Sequence, residues 1–511
     1  MSEAPNQTQD QNRDEVPDVL VIGAGPAGTV AALRAADLGA RTRLVTSSAF
    51  GGMAANDGPV PVRTLAHAAR LMRNLRESEA YGIEAGPPLL DYSKLSARVR
   101  AVVGEVRAHS SLREQIDAAG VTVHENVGAA RFEDPHTVTT ANGMRLQADK
   151  IILCVGGTAR PLDVPGFHLT STHSAALALT SVPSSMLIIG GGATGLQVAS
   201  IFHSFGSRVQ VFERGARILS GEDADVSAAV AASFRNAGMT VRENFGTPLS
   251  FEKTTTGIRM NFSSQTKQES AEASLVVVAA GWIADTVKLN LPAAGLAPDD
   301  RGFIEIDEYL QTSTSHIYAA GDVTGRLMLV PQALQEGFVA ATNAVLGPSL
   351  QLAKRVSLSA GFTDPEYASA GLTEAKAREH HDVLTATVHF DSTMRTIIDG
   401  RKSGFCKLVV DRKTANILGC QVVGERAVEI AQAAALAIVA RMRVDQLARV
   451  PLAFPSYTGN LAYAAASAAR QLELQVDWEA GNIDGLSSTG ALAQLVRPTP
   501  SDSRPAGQRQ K

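Results

Sequence analysis

One arrangement of apolar, glycine-rich and polar segments occurs twice along the chain. In the first copy, the apolar run Asp18–Ile22 predicts a buried strand, and the sequence GAGPAG follows it. Thr29–Leu38 is rich in Ala and Leu and predicts a helix, which Gly39 ends, and Arg41–Thr46 predicts the next strand. This order indicates a strand–turn–helix–strand unit.

The second copy has the same order of elements. Met186–Ile189 predicts a buried strand, GGGATG follows, and Leu196–Phe205 predicts a helix that ends at Gly206. The apolar segment Arg208–Glu213 predicts the closing strand. The duplication predicts an α/β protein with two Rossmann-like dinucleotide-binding domains.

The pattern changes after about Ser357. Three apolar segments predict strands (ATVHF, GFCKLVV and ILGCQVVG), and two apolar helices are expected at Ala427–Arg441 and Gly459–Leu474. We interpret this part as a separate α+β domain. Residues 1–16 and 487–511 are rich in polar and charged residues, which predicts disorder at both ends.

Composition narrows the functional classes. The formal net charge of −4 predicts no general attraction to nucleic acid or to an anionic membrane. No apolar run approaches the ~20 residues that a membrane span requires, and the polar, acidic N-terminus does not resemble a secretory or transit signal. The three cysteines Cys154, Cys406 and Cys420 form neither a CxxC pair nor a zinc spacing. We expect buried thiols, no metal site and a cytoplasmic location.

The first glycine-rich turn contains Gly23, Gly25 and Gly28. In such a fingerprint one glycine makes the tight turn, one lets the backbone approach a pyrophosphate, and one lets the helix pack on the strand. The first turn of the following helix presents free N–H groups to the phosphates. Pro26 and Ala27 lie between the last two of these glycines and are candidate cofactor-binding residues of the same turn. The strand after this helix ends in Thr46, and a hydroxyl holds a ribose with less charge assistance than an acid would.

The second fingerprint contains Gly190, Gly192 and Gly195, with Ala193 and Thr194 between them. Its closing strand ends in Glu213, which can accept both ribose hydroxyls of NAD and repel the 2′-phosphate of NADP. Arg214 follows, and it could instead meet that phosphate. The sequence therefore favours NAD(H), with NADP(H) as the alternative.

Beyond the two fingerprints, three further motifs occur in a familiar order. They are KIILCVGGTARPLDVPG, VVVAAGWIADT followed by DDRGFIEIDEYLQTS, and TSTSHIYAAGDVTGRLMLVPQALQEG. Together with the fingerprints, they resemble the pyridine nucleotide-disulfide oxidoreductases, such as dihydrolipoamide dehydrogenase and mercuric reductase. The resemblance covers Pro17 to Leu472.

The resemblance implies FAD at the first fingerprint and the nicotinamide nucleotide at the second. The implied FAD-binding domain covers 17–165 and 314–350, the NAD(P)-binding domain 166–313, and a homodimerisation domain 357–480. Asp322 is expected at the ribityl or pyrophosphate part of FAD. Further cofactor-binding residues implied by the motifs are Gly52, Gly157, Gly281, Gly321, Gln332 and Ala333.

The residues of disulfide chemistry are missing. The family has GGTCxNxGCxPSK after the first unit, whereas this chain has GGMAANDGPVPVR, with Ala54 and Pro59 at the two cysteine positions. Thiol–disulfide exchange requires a thiolate and a partner sulfur. The family's C-terminal His-Pro-Thr-x-x-Glu is also changed: Phe454 replaces the histidine base, and Gly459 replaces the glutamate. A phenyl ring cannot relay protons.

Two further positions depart from the family. Arg63 occupies the position of a lysine that lies near flavin N5, and Gln197 occupies that of its glutamate partner. Arg63 stays positively charged and would favour an anionic reduced flavin, unless it is solvated or paired elsewhere. Ala193 occupies the position of a tyrosine that gates the nicotinamide pocket, so the pocket is expected to be open.

Three functional hypotheses follow. In the first, NADH reduces the flavin, and the flavin reduces a small planar acceptor such as a quinone in a site lined by Ala54, Pro59 and the partner subunit's Phe454. In the second, electrons pass to a protein partner or between nicotinamide pools. In the third, the chain is a non-catalytic flavoprotein sensor. Mercuric ion reduction is rejected, because Hg(II) requires thiolate ligands.

Overall fold

The computed structural model describes residues 16–108, 111–264, 267–353 and 356–476. The N-terminal segment before residue 16 and the tail 487–511, both predicted to be disordered, lie outside these residues. Within the described chain, no helix is long and apolar enough to cross a membrane.

Helices and strands alternate through most of the chain. The strands are β1 Val19–Ile22, β2 Thr42–Val45, β3 Thr122–His124, β4 Ala130–Asp134, β5 Thr137–Thr140, β6 Arg145–Gln147, β7 Lys150–Leu153, β8 Gly157–Ala159, β9 Ser185–Ile189, β10 Arg208–Phe212, β11 Thr240–Arg242, β12 Thr247–Lys253, β13 Ile258–Ser263, β14 Gln268–Ala273, β15 Leu275–Val278, β16 Trp282–Ala284, β17 Ile317–Ala319, β18 Leu358–Gly361, β19 Tyr367–Gly371, β20 Val383–His389, β21 Phe405–Asp411 and β22 Ile417–Val423. The α-helices are α1 Pro26–Asp37, α2 Gly52–Asn56, α3 Pro59–Glu77, α4 Tyr92–Ala108, α5 Ser111–Ala118, α6 His173–Leu177, α7 Ala193–Ser204, α8 Ala224–Asn236, α9 Val330–Leu346, α10 Glu374–Arg378, α11 Met394–Ile398, α12 Ala427–Val439, α13 Val444–Ala448 and α14 Gly459–Gln471.

The chain divides into two compact units. The first ends at residue 354 and leaves out residues 220–233, and the second joins 220–233 to the chain after residue 354. The first unit contains both glycine-rich turns. The boundary between an FAD-binding and an NAD-binding domain within it stays a prediction.

Two parallel sheets carry the glycine-rich turns of the first unit. The first sheet has the order β17-β7-β1-β2-β3, and the second has the order β11-β10-β9-β15. In each, the strand that precedes the glycine turn is fully buried, which explains its uninterrupted apolar sequence. The antiparallel sheets β4-β5-β6 and β12-β13-β14 bury apolar side chains against them. The two predicted Rossmann-like units are therefore confirmed.

The second unit is built around one antiparallel sheet of order β18-β19-β22-β21-β20. Helices α12 and α14 bury their apolar residues in the same core as this sheet. This arrangement agrees with the predicted C-terminal α+β domain. The cysteines Cys406 and Cys420 are buried and free in this core, as expected, and Cys154 is buried and free in the first unit.

Several predicted element boundaries were wrong by a few residues. Helix α1 begins at Pro26 instead of Thr29, because proline has the backbone angle of a first helical residue and needs no N–H partner there. Helix α7 likewise begins within its glycine motif, at Ala193. The apolar sequence IILCVGG predicts a strand that contains Cys154, but β7 ends at Leu153 and Cys154 follows it. Helix α12 stops at Val439, because Arg441 adopts a left-handed conformation (φ 53°).

Helix α14 is also shorter than predicted and stops at Gln471. The residue Glu473 has φ 58°, which is incompatible with continuing the helix to Leu474.

Candidate functional site

The geometry of the first glycine turn explains each of its glycines. Gly23 has φ 110°, and a Cβ there would lie 2.2 Å from the carbonyl oxygen of Cys154. A Cβ at Gly28 would lie 1.7 Å from the carbonyl oxygen of Gly23, so this glycine allows helix α1 to pack on β1. At Gly25 the nearest atom to an added Cβ is 3.9 Å away, in Gly52. The middle glycine therefore leaves its backbone accessible to a bound group.

The second glycine turn repeats this geometry. Gly190 has φ 110°, and a Cβ there would lie 2.3 Å from the carbonyl oxygen of Ala279. A Cβ at Gly195 would lie 2.1 Å from the carbonyl oxygen of Gly190, whereas one at Gly192 would meet nothing within 4 Å. Both turns thus provide a tight bend, an open approach to the backbone and a close contact between helix and strand.

The two helices that follow the turns have uncapped N-termini. The residues before them, Gly25 and Gly192, are extended, and no side chain caps either helix. The first-turn N–H groups of these helices have no partner within the helix, and the helix dipole is positive at this end. The predicted residues Ala27, Ala193 and Thr194 lie in these first turns. Each turn therefore fits the pyrophosphate of a dinucleotide.

The ribose side differs between the two turns. Glu213 follows β10, and its carboxylate accepts hydrogen bonds from the N–H groups of Gly191 (2.7 Å) and Gly215 (2.6 Å). These bonds hold an acid beside the second turn, while Arg214 is exposed. At the first turn, Thr46 is buried, and its N–H donates to the carbonyl oxygen of His124 (2.9 Å).

The predicted second FAD motif forms a compact polar cluster beside the first turn. Gly321 has φ 81°, and a Cβ there would lie 3.0 Å from Cβ of Ala27 and 3.6 Å from Cβ of Ala333. Asp322 follows it, and burial raises the pKa of the Asp322 carboxyl. A Cβ at Gly157 would lie 3.7 Å from Cβ of Asp322. The structure therefore brings these predicted residues together.

Glu336 belongs to this cluster, although the sequence did not single it out. Its carboxylate is only 1% exposed and accepts hydrogen bonds from the N–H of Gly321 (2.8 Å) and from Nε2 of Gln332 (3.1 Å). Burial raises the pKa of Glu336, an effect opposed by these hydrogen bonds and by Arg326. A glutamate among the apolar residues of α9, one turn after Gln332, was the available signal.

The segment that carries the disulfide in the resembled family is helix α2 and the start of α3. Ala54 lies in α2, and Pro59 is the first residue of α3. The segment packs closely against the first turn, since a Cβ at Gly52 would lie 2.6 Å from Cα of Gly25. No thiol lies within this segment.

Hydrogen bonds hold the same segment in place. Ser174 donates its hydroxyl to Asp57 (2.6 Å), and the Ser174 oxygen lies 3.2 Å from Nε2 of His173. The His173 ring packs edge-on against Trp282, with 5.0 Å between ring centroids. Burial lowers the pKa of His173, and the nearby Asp57 carboxylate opposes that shift.

The two departures near the expected flavin N5 lie on adjoining helices. Arg63 is an exposed residue of α3, Gln197 is a half-buried residue of α7, and the two helices contact each other. Gln197 donates from Nε2 to the carbonyl oxygen of Ala193 (3.0 Å). Ala193 is exposed, and Gly281 has φ 108° with open space where a side chain would lie.

In the second unit, Phe454 is 68% exposed and precedes Pro455. The neighbouring Tyr457 donates its hydroxyl to Asp399 (3.0 Å), which also pairs with Arg395. Burial raises the pKa of the Tyr457 hydroxyl, and the Asp399 carboxylate adds to the shift. Tyr457 is therefore a structural residue and a poor proton donor. No group of metal-ligating side chains occurs among the residues that the structure describes.

Comparison with known proteins agrees with this geometry. Residues 17–337 match the family described as pyridine nucleotide-disulphide oxidoreductase, and residues 358–465 match its dimerisation domain. A mercuric reductase of Staphylococcus aureus is 30% identical over 456 residues, which cover 87% of this chain and 81% of the relative. A dihydrolipoyl dehydrogenase of Geobacillus stearothermophilus is 30% identical over 459 residues, 88% of this chain and 96% of the relative.

Among solved structures, the HOCl-induced flavoprotein disulfide reductase RclA from Escherichia coli has the same fold. Its TM-score is 0.77 at 24% identity, and the match covers 87% of this chain and 98% of that one. Members of the matched family use FAD and NAD(P)H. The chain therefore belongs to the pyridine nucleotide-disulphide oxidoreductase family.

Proposed function

We propose that this protein oxidises NADH and passes the two electrons through FAD to an acceptor that is not a disulfide, with a quinone as the favoured class. The observation that carries the proposal is the residue pair Ala54 and Pro59 in α2 and α3, where the family's thiols would stand. Neither side chain can form a thiolate, so thiol–disulfide exchange has no nucleophile in this segment.

The remaining thiols do not offer a substitute. Cys154, Cys406 and Cys420 are buried and free, and burial raises the pKa of Cys154 far above its usual range. A buried, protonated thiol is a poor nucleophile. The relatives named above are a mercuric reductase, a dihydrolipoyl dehydrogenase and a flavoprotein disulfide reductase, whereas positions 54 and 59 of this chain supply no thiolate for disulfide exchange.

The nucleotide half of the reaction keeps its residues. The glycine turns, the free first-turn N–H groups of α1 and α7, and the Asp322–Glu336 cluster fit two dinucleotides. FAD, when bound, supplies the redox chemistry, and the protein holds the two nucleotides in position. The overall balance is NADH, one proton and a quinone giving NAD⁺ and a quinol. Because this reduction needs one proton from solvent, the loss of the histidine base at Phe454 does not prevent it.

The Glu213 carboxylate supports the preference for NADH. Its two backbone hydrogen bonds fix it beside the second turn, where the adenosine ribose of a bound nucleotide is expected. A fixed carboxylate accepts ribose hydroxyls and repels a 2′-phosphate. NADPH is the alternative, through the exposed Arg214.

The proposed assembly is a homodimer formed through the second unit. This unit matches a dimerisation domain and exposes several large apolar side chains: Met394, Ile397, Ile398, Leu436, Val439 and Phe454. Exposed apolar groups of this size are typical of a surface that is covered in the assembled protein.

An anaerobic titration of the flavin-loaded protein tests the proposal. We expect NADH to bleach the flavin absorbance at about one equivalent per FAD, because the three cysteines are buried and free and form no redox disulfide that would take up further electrons. NADPH should bleach it only at higher concentration. The reduced protein should then reduce quinones, whereas lipoamide and glutathione disulfide should not react.

Two outcomes contradict the proposal. If lipoamide is reduced as quickly as a quinone, the acceptor assignment is wrong. If neither nucleotide bleaches the flavin, the chain is not an NAD(P)H oxidoreductase, and a non-catalytic flavoprotein is the better description.

A further inference from the structure

The duplication extends beyond the strand–turn–helix–strand unit to the third strand of each parallel sheet. The first copy continues with TVHENVG at residues 122–128, and the second continues with TVRENFG at residues 240–246. In both, the first three residues form the strand that pairs in parallel with the closing strand of the unit, β3 with β2 and β11 with β10. The asparagine of each segment adopts a left-handed conformation, with φ 56° at Asn126 and 53° at Asn244.

Two backbone hydrogen bonds at the ribose-side residue occur in both copies. The residue that follows the second strand, Thr46 after β2 and Glu213 after β10, donates its N–H to the third strand at 2.9 and 2.8 Å. Its carbonyl oxygen accepts from the segment that follows, at 3.2 Å in both copies (from Val127 and Phe245). The ribose-side residue is therefore held by the third strand in the same way at both sites.

The glutamate of each segment connects this strand to the loop that leads back to the glycine turn. Glu125 accepts a hydrogen bond from the N–H of Phe50 (2.8 Å), and Glu243 accepts one from the N–H of Ile218 (2.9 Å). In both loops the next residue donates its N–H to the glycine turn, from Gly51 to Ala24 at 3.0 Å and from Leu219 to Gly191 at 2.9 Å. Each carboxylate thus links the third strand to the phosphate-binding turn through one loop.

An arginine from the preceding helix completes each connection. Arg113 of α5 pairs with Glu125, and Arg235 of α8 pairs with Glu243 at 2.8 Å. The glutamates are mostly buried, with side chains 30% and 20% exposed. The second copy has this glutamate in addition to Glu213, which already lies beside the glycine turn. The role that Glu125 and Glu243 share is therefore to hold the loop and not to bind the ribose directly.

We propose that Glu125 and Glu243 are positioning residues, each of which aligns the ribose-side residue with the phosphate-binding turn for one dinucleotide. The proposal rests on the assignment of FAD to the first turn and NADH to the second. Each glutamate then acts on the adenosine half of its own dinucleotide. The flavin ring and the nicotinamide ring bind independently of it.

Mononucleotides distinguish this role from a general structural one. FMN is FAD without its AMP half, and reduced nicotinamide mononucleotide is NADH without its AMP half. The dissociation constants of FAD and FMN are measured on the deflavinated full-length protein by flavin fluorescence. Those of NADH and the reduced mononucleotide are measured on the flavin-loaded protein, together with its thermal unfolding.

Glu125→Ala should weaken FAD binding about tenfold, the effect expected when a hydrogen bond to a charged group is lost, and should leave FMN and NADH binding unchanged. Glu243→Ala should weaken NADH binding by a similar factor and spare FAD and the reduced mononucleotide. Glu125→Gln and Glu243→Gln should recover most of the affinity, because the amide oxygen can still accept the loop N–H. Glu133→Ala, which removes the exposed partner of Arg145, is the matched control and should change neither FAD binding nor NADH binding.

Several results overturn the proposal. One is an equal loss of affinity for a dinucleotide and for its mononucleotide, and another is a loss of affinity at both sites from a single alanine variant. A lower unfolding temperature without any change in affinity also overturns it. Where an alanine variant does not fold, Arg113→Gln and Arg235→Gln weaken the same connections from the surface, and they must show the same site selectivity. A wild-type protein that binds neither dinucleotide would instead contradict the proposed function.

Discussion

Replacing Lys407 with methionine should destabilise the second unit more than any exposed charge change in it. The Lys407 ammonium is 4% exposed and lies 2.9 Å from Asp223, 2.6 Å from Asp225 and 3.4 Å from Glu374. Asp223 is itself buried, with a side chain 6% exposed. Lys407→Met replaces the lysine with an unbranched apolar side chain one atom shorter and leaves the Asp223 carboxylate without its cation.

Removing one partner of a buried ion pair costs about 3–5 kcal/mol, since the other charge stays desolvated. Asp225 and Glu374 are partly exposed and can be rehydrated, so the lower end, about 3 kcal/mol, is expected. For a unit of this size, that loss lowers the unfolding temperature by on the order of 10 °C. Arg395→Met is the matched control, because it breaks the ion pair between Asp399 and Arg395, whose side chain is 43% exposed. It should lower the free energy of unfolding by less than about 1 kcal/mol.

The pH dependence gives a second test. Burial by itself would raise the pKa of Glu374, but its hydrogen bond from Arg378 and the charge of Lys407 outweigh that effect and lower it. A carboxyl with a lowered folded pKa contributes stability above its unfolded pKa and loses it as the pH falls. The difference in the free energy of unfolding between wild type and Lys407→Met should therefore be largest at neutral pH and should decrease in acid.

Scanning calorimetry of the flavin-loaded protein at several pH values measures both effects, with flavin fluorescence reporting the first unit separately. If the free energy of unfolding of Lys407→Met at neutral pH is within about 1 kcal/mol of the wild-type value, the ammonium does not compensate the charge of the buried Asp223 carboxylate. A deficit that grows as the pH falls would contradict the sign of the argument.

Three further results are expected. Glu213→Gln should narrow the preference for NADH over NADPH by about tenfold in kcat/KM, since it removes the repulsion of a 2′-phosphate; an unchanged ratio would place the selectivity elsewhere. An aromatic disulfide reagent should titrate no thiols in the native protein, before or after NADH reduction, and three after denaturation; two thiols that appear on reduction would reveal a redox disulfide. Leu436→Glu, at a side chain 74% exposed, should shift sedimentation toward the monomer, and an unchanged dimer would exclude this surface from the interface.

Local sequence patterns were sufficient for the elements whose physics is local. The glycine turns could be predicted because steric contacts within a few residues, such as the one between Gly28 and Gly23, require the absence of a side chain. Helix starts were missed by three residues, because Pro26 and Ala193 read as parts of the turn although they already have helical geometry. The long helix α3 begins with prolines, and this obscured it as a helical segment.

Interactions between distant segments could not be predicted from periodicity. Glu336 contacts Gly321 only because α9 folds back beside β17, and Lys407 pairs with Asp225 across 182 positions of sequence. The similar segments TVHENVG and TVRENFG were visible in the sequence, but their meaning depends on which strands pair. The electron acceptor could not be predicted from these patterns either. Ala54 and Pro59 exclude thiol–disulfide exchange, but their side chains do not identify the molecule that accepts the electrons.

The assignment of residues 220–233 to the second unit has a consequence for synthesis on the ribosome. Asp225 precedes its partner Lys407 by 182 residues. At typical elongation rates the acidic start of α8 would wait about 10–40 s for its cation. Carboxylates remain well hydrated during such a delay, whereas an apolar segment exposed for as long would invite aggregation. A connection made through charge therefore suits a part of the chain that is synthesised long before the sheet it joins.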